Sequence, residues 1–286
     1  MPRIVFVNGA FVPFENATIP IMDRGFLFAD GIYEVSAVLN GALVDHEAHL
    51  ARLDRSLREI RIPNPYDAAE WTRLCRELVQ RNGLAEGLVY MQVTRGVAER
   101  DFAFPKEAAP TVVMFTQLKN IARSPQAETG IAVITVPDLR WKRRDIKSVA
   151  LLAQVLAKQA AAEAGVAEAW MVEDGVVTEG SSSTAFIVTS DRRIVTRPLS
   201  SAVLPGITRL SVMRLAAEQG LTVEERPFSL EEAHEAEEAF LTSASMLVMP
   251  VVSLDGRPVG TGRPGPQSRR LRELYLHMAE APAAAA

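Results

Sequence analysis

Trp141-Lys142-Arg143-Arg144-Asp145-Ile146-Lys147-Ser148 is the stretch on which the reading of this chain turns. Strand-like Ile131-Ala132-Val133-Ile134-Thr135-Val136 stands before it, and alanine-rich, helix-patterned Val149 to Ala164 follows, with Gly165 as its stop. A strand, a basic connection and a helix in that order belong to a layer of mixed α/β structure. A charge run ahead of a helix is by default a solvated surface. Lys147 departs from that default, because it meets an apolar stretch, where an ammonium is costly unless its head is used or exposed.

Upstream the pattern is different. Ile4 to Val7 and Ala10 to Pro13 flank Asn8-Gly9, and Tyr33 to Leu39 and Ala42 to Val44 flank Asn40-Gly41. Both read as hairpins, since Asn-Gly supplies the positive φ that a two-residue turn requires. Leu50, Leu53, Leu57 and Ile60 recur at helical spacing and carry Arg52 and Arg55 along. Asp67 and Glu70 fit a capping box for a second helix that ends at Asn82-Gly83, with Cys75 as buried filler. Val89 to Thr94 and Thr111 to Phe115 complete the strands. The segment from Lys119 to Thr129 lacks periodicity and reads as a linker.

Downstream, Ala167 to Val172 and Ala185 to Thr189 read as strands around Asp174-Gly175, and Thr208 to Gln219 as a helix stopped by Gly220. Ser229 and Glu232 cap another helix, Phe240 to Thr242 and Leu247 to Val252 are strand-like, Asp255-Gly256 marks a hairpin, and a last helix runs from Gln267 to Met278. The expectation is a two-domain protein of α+β or mixed α/β class. A small N-terminal α+β domain spans 1–118, a linker 119–130, a larger domain 131–280 and a frayed tail 281–286.

Composition narrows the function. The chain has 286 residues, 48% of them hydrophobic, and a formal net charge of −4, which disfavours broad nucleic-acid binding. One cysteine rules out an intrachain disulfide, and four scattered histidines form no zinc signature, so no metal is expected. Met1 to Asn8 lacks a signal-peptide core, and no run reaches the about 18 apolar residues of a membrane span, so the expectation is a cytoplasmic protein.

Four further polar segments sit between the periodic ones. Asp23-Arg24-Gly25-Phe26-Leu27-Phe28-Ala29-Asp30-Gly31-Ile32-Tyr33-Glu34 is either a structural loop or a place where Tyr33 aims its hydroxyl outward. Arg95-Gly96-Val97-Ala98-Glu99-Arg100 suits a carboxylate clamp or an ordinary salt-bridged loop. Thr178-Glu179-Gly180-Ser181-Ser182-Ser183-Thr184 lines a ligand or forms a hydrogen-bonded turn. Pro205-Gly206-Ile207-Thr208-Arg209 opens a helix, as a phosphate cradle or a plain cap.

Taken in order, these segments closely resemble the D-amino acid aminotransferases, within the class IV, branched-chain-aminotransferase-like family. The resemblance also takes in Gln92-Val93-Thr94-Arg95-Gly96, Leu156-Ala157-Lys158-Gln159 and Thr242-Ser243, and covers nearly the whole chain except the tail. It implies the two-domain fold type IV and pyridoxal 5'-phosphate as cofactor.

The same resemblance implies the roles. Lys147 is the catalytic lysine that carries the cofactor as a Schiff base and shuttles a proton. Glu179 pairs with the pyridine nitrogen. Arg52, the Ile207 and Thr208 amides and the Thr208 hydroxyl take the phosphate, with a further donor from Ser243-Ala244. Family members often have threonine where Ala244 stands, so one hydroxyl is missing and the amide is kept. Ser181, Ser182 and Ser183 support the ring side and Leu204 packs near it.

Tyr33, Val35, Arg100 and Phe102 fall to substrate. In the D-specific group a tyrosine, an arginine and a histidine trap the carboxylate, the last two from the partner subunit. Phe102 stands at the histidine position, beside Asp101. The expected reaction is ping-pong transamination of D-amino acids with pyruvate or 2-oxoglutarate, in a homodimer or larger homo-oligomer. The departure at Phe102 leaves (R)-amine transamination or branched-chain L-amino acid transamination as alternatives. Aminodeoxychorismate lyase shares the lysine and the glutamate, and a non-catalytic fold relative conflicts with the complete Lys147–Glu179–Arg52–Thr208 set.

Overall fold

A computed structural model describes residues 3–280, so the expectation for the tail at 281–286 lies outside the described residues. The chain divides into two compact units. The first contains β1 (Ile4–Val7), β2 (Ala10–Pro13), α1 (Arg24–Phe28), β3 (Gly31–Leu39), β4 (Ala42–Leu43), α2 (His46–Glu59), α3 (Ala68–Arg81), β5 (Gly87–Thr94) and β6 (Thr111–Leu118). Its antiparallel six-stranded sheet runs β2-β1-β6-β5-β3-β4. Both Asn-Gly turns take positive φ at each residue, as their sequence demands. One face of the sheet is sealed by α2 and α3. Phe6, Ile32, Val89, Met91, Val93 and Met114 pack there with Leu53, Leu57, Trp71 and Leu74, and Cys75 is buried among them. Alternation along the strands turns Tyr33, Val35, Tyr90, Gln92 and Phe115 to the other, half-buried face.

The second unit contains α4 (Pro125–Thr129), β7 (Ile131–Pro137), α5 (Leu152–Glu163), β8 (Glu168–Glu173), β9 (Val176–Gly180), β10 (Thr184–Val188), β11 (Ile194–Thr196), α6 (Ile207–Glu218), β12 (Val223–Glu225), α7 (Leu230–Glu235), β13 (Glu238–Ser243), β14 (Leu247–Leu254), β15 (Arg257–Pro258) and α8 (Pro266–Glu280). Its sheet runs β12-β11-β10-β13-β14-β7-β8-β9, with β15 on β14, and it is mixed: β7 lies parallel to β14 and β8. Val133, Trp170, Val177, Ile187, Val195 and Leu241 form its main core, and Ala157 and Ala161 of α5 pack on Ala169 and Met171.

Three expectations change. The segment read as a linker carries the short helix α4, and its Ile121 and Ala127 are buried; Pro125 at the helix start marked it in retrospect. The helix expected from Val149 begins at Leu152 instead. Tyr33 N–H donates to the Lys147 carbonyl at 2.9 Å and Val149 N–H to the Gly31 carbonyl at 3.0 Å, so these backbone groups serve β3 and cannot start a helix. Ile146–Ala150 accordingly groups with the first unit, not with the larger domain expected over 131–280. Third, Asp67 caps α3 through the Glu70 amide at 2.8 Å, but the Glu70 carboxylate turns to Arg73 instead of closing a capping box. The box at Ser229 and Glu232 is complete.

Candidate active site

In the first unit the edge of β3 fixes Lys147. Its carbonyl receives Tyr33 N–H, its own N–H donates to Ser56 Oγ at 3.3 Å, and the neighbouring Ile146 side chain is anchored in the core. The ammonium Nζ lies 4.1 Å from the centroid of the Tyr33 ring. Tyr33 stacks on Tyr90 at 5.6 Å, and Tyr90 on Phe115 at 4.6 Å, which makes an aromatic floor across β3, β5 and β6. The cations around Lys147 in sequence are all paired. Arg143 meets Asp145 at 3.0 Å, Arg144 meets Glu173 at 2.8 Å and Lys142 meets Glu173 at 3.0 Å. Among the described residues Lys147 has no carboxylate partner. Its amine is left available for chemistry.

Glu34 alternates to the opposite face of β3, where it is fully buried against α2. Arg52 donates Nε to Oε1 at 2.7 Å and Nη2 to Oε2 at 2.9 Å, a two-point grip, and His49 Nδ1 lies 2.8 Å from Oε2. Burial alone would raise the Glu34 carboxyl. The Arg52 guanidinium and the His49 hydrogen bond outweigh it and hold the group well below the usual carboxylate range. Arg52 is thus oriented by a carboxylate that sequence reading did not assign. His46, one turn before His49, has both ring nitrogens buried without a hydrogen-bond partner. Burial, with the His49 and Arg76 charges, brings its pKa down from 6.5 to about 4.

The loop after β5 carries Arg100 and Phe102, both exposed. The Arg100 guanidinium lies 5.4 Å from the Phe28 ring centroid and 5.7 Å from that of Phe102, and the two rings are 5.4 Å apart. Phe102 therefore forms part of an aromatic shelf for Arg100. The Asp101 carboxylate accepts the Ala103 N–H at 3.2 Å and so closes its own turn. Tyr33 and Val35 stand two residues apart on the half-buried face of β3.

In the second unit Glu179 lies in β9, a strand that the polar Thr178-Glu179-Gly180 sequence concealed. Its carboxylate is buried, pairs with Arg140 Nη1 and accepts the Leu204 N–H at 3.1 Å. Arg140 also grips Asp138 at 2.7 Å, and Thr178 Oγ1 donates to Asp138 at 2.6 Å. Burial pushes the Glu179 carboxyl up, and Arg140 opposes part of that rise. Sequence reading missed Arg140 and Asp138; their one signal was an acid and a guanidine two residues apart, immediately after a strand.

The three serines converge on a different carboxylate. Ser181 Oγ donates to buried Glu168 Oε1, while Ser182 and Ser183 Oγ approach Oε2 at 3.2 and 3.4 Å. A Cβ on Gly180 would lie 2.1 Å from Ser183 Oγ, so a larger residue there would force that hydroxyl to turn away. Gly206 caps α6 with no side-chain hydrogen bond, which leaves the first-turn amides, including Ile207 and Thr208, for an outside acceptor. A Cβ on Gly206 would meet Thr184 Oγ1 at 2.8 Å. At the turn after β13, Ser243 Oγ lies 3.5 Å from Ser245 Oγ, and the buried Thr242 hydroxyl has no partner. Arg272 braces this turn by donating to the Met246 and Val248 carbonyls at 2.8 and 2.7 Å. Among the described residues no group of three or more His, Cys, Asp or Glu could hold a metal ion, and no helix is long and apolar enough to cross a membrane.

The first unit thus offers a lysine amine without a carboxylate partner among the described residues, and the second, taken by itself, a buried carboxylate and a helix start whose cap makes no side-chain hydrogen bond. The model of the family described as amino-transferase class IV matches residues 31–254. The D-alanine aminotransferase of Bacillus licheniformis is 39% identical over 268 residues, 94% of this chain and 94% of its own. That of Staphylococcus aureus (strain MSSA476) is 40% identical over 272 residues, 95% of this chain and 96% of its own. Among solved structures, the branched-chain amino acid aminotransferase of Thermobaculum terrenum in its PLP form superposes with a TM-score of 0.84 at 25% identity, covering 97% of this chain and 94% of that one. The chain belongs to the class IV aminotransferases. It is a transaminase of fold type IV that depends on pyridoxal phosphate and works on amino and keto acids.

Proposed function

We propose that the protein transfers the amino group of D-amino acids to 2-oxo acids such as pyruvate or 2-oxoglutarate, in a ping-pong cycle. The observation that carries this reading is the identity of 39–40% with D-alanine aminotransferases over 94–95% of the chain. The exposed cation at Arg100 suits a donor that bears a carboxylate.

Bound pyridoxal phosphate would supply an aldehyde carbon that accepts the amino group and a ring that withdraws electrons from the reacting carbon. Lys147 Nζ would hold the cofactor by its aldehyde and, as a free amine, would carry the α-proton of the donor. Glu179, kept in place by Arg140 and Leu204 N–H, holds a proton at the ring nitrogen. Arg52 and the first-turn amides of α6 receive the phosphate, with Ser243 and the Ala244 amide as further donors. Ser181, Ser182 and Ser183, drawn together by Glu168, keep the β9–β10 turn in shape beside the ring, and Leu204 packs near it. Tyr33, Val35, Arg100 and Phe102 sort the donor.

The protein acts in the cytoplasm as a homodimer in which Arg100 and Phe102 serve the neighbouring copy. The exposure of Phe26 and Phe102, at 76% and 79%, supports such a partner. Light scattering should give twice the 31.2 kDa chain mass; a monomer with full activity would count against the shared site.

Donor class is settled by pairing D-alanine, D-glutamate, L-leucine and (R)-1-phenylethylamine with pyruvate or 2-oxoglutarate. D-Alanine or D-glutamate should dominate. Dominant turnover of L-leucine or of the amine would overturn the assignment. Phe102→His should favour carboxylate-bearing donors over the amine, and an unchanged ratio would remove Phe102 from the donor site.

A further inference from the structure

We propose that Arg24 is the positioning residue for the substrate loop: its buried guanidinium clamps the 101–103 turn and so sets where Arg100 and Phe102 stand. The inference rests on the reading that these two residues meet the donor.

Arg24 is 3% exposed, in a short helix held hard against the end of β5. Its N–H donates to the Gly96 carbonyl at 2.9 Å. Asp23 before it accepts the Gly25 N–H at 2.8 Å and the Thr94 hydroxyl at 3.0 Å, and it bridges to Val97. Gly25 lets the helix approach: a Cβ there would sit 2.3 Å from Thr94 Cγ2. From this rigid base Arg24 Nε donates to Asp30 Oδ2 at 2.8 Å. Nη1 donates to the Asp101 carbonyl at 2.6 Å and reaches the Ala103 carbonyl at 3.3 Å, while Nη2 reaches the Phe102 carbonyl at 3.5 Å. One side chain thus addresses three successive carbonyls of the loop.

Asp30 does not require Arg24 for neutralisation. Arg95 already grips it with Nε at 2.7 Å and Nη2 at 2.9 Å. The remaining Arg24 donors therefore go to the loop. The Arg24 guanidinium also lies 4.7 Å from the Phe28 ring centroid, on the same ring that Arg100 and Phe102 approach. Clamp and shelf place Arg100 without any bond to the Arg100 side chain itself. A lysine could keep the charge beside Asp30, but its single head cannot span an acid and three carbonyls.

The test compares Arg24→Lys, Arg24→Met and Arg100→Met as holoenzymes. Loosening the clamp should raise the KM of D-alanine and of pyruvate about tenfold or more, with kcat within about threefold and the visible cofactor band unchanged. Hydrogen exchange of amides 100–104 should speed up while that of β6 stays as in the parent protein. Arg24→Lys retains the buried cation and serves if Arg24→Met does not fold. An Arg100→Met variant with unaltered KM would sink the donor-site reading itself. If Arg100→Met raises KM and Arg24→Lys does not, or if Arg24→Lys lowers kcat and thermal stability without moving KM, Arg24 is structural only and the inference fails.

Discussion

At the scale of single residues, the contrast between Arg52 and Lys147 explains what the charges do. Arg52 is locked to a buried carboxylate, whereas the Lys147 amine lies beside a tyrosine ring and has no carboxylate partner among the described residues. Removing the charge in Glu34→Gln leaves Arg52 buried without its counter-ion. The expected cost is about 3 kcal/mol of folding stability, measured by denaturant unfolding. The same substitution carries a pH signature. A carboxyl that titrates near 4.5 when unfolded and well below that when folded stabilises the protein above pH 4.5 and loses that contribution as pH falls further. Glu34→Gln should flatten the acid limb of the stability curve. His46 acts over a higher window: the unfolded imidazole takes its proton at 6.5 and the folded one only near 4, so stability falls as pH drops between those values. His46→Gln should remove that slope, and an unchanged slope would contradict the burial of its ring nitrogens.

At the scale of elements, most of the first unit was legible because local chemistry and burial agree. Asn8-Gly9 and Asn40-Gly41 demand tight turns, and the leucines of α2 face the core that their spacing called for. The misreadings share a cause: a partner distant in sequence overrode local preference. Val149 to Leu151 look helical, yet the Val149 N–H is taken by Gly31. Thr178 to Gly180 look like a loop, yet pair with β8. Neither Arg140 nor Glu168 could be assigned, because their partners Glu179 and Ser181 lie 39 and 13 residues away. Arg140→Met would leave Glu179 buried without its cation, and unfolding should show a loss of about 3 kcal/mol. Gly180→Ala should be more damaging than its size suggests, since the new methyl would fall on Ser183. Its melting temperature should fall below that of the parent protein, and an unchanged value would contradict the contact.

At the scale of the whole molecule, the sequence pattern changes between residues 118 and 131, and the residues 146–150, which follow the second pattern, group with the first unit. Lys147 belongs by sequence to the second pattern and by hydrogen bonding to the first unit, where β3 holds it. We propose that Lys147 carries the cofactor for amino transfer from D-amino acids. The most direct measurement is the visible absorbance of the cofactor-reconstituted protein mixed with D-alanine alone, recorded for the parent chain and for Lys147→Ala. The parent should show an imine band that D-alanine bleaches in one half-reaction and pyruvate restores, while the variant shows neither band nor cycle. A parent protein without the band would rule out Lys147 as the cofactor's anchor, and a band that responds to L-leucine and not to D-alanine would rule out D-amino acids as donors.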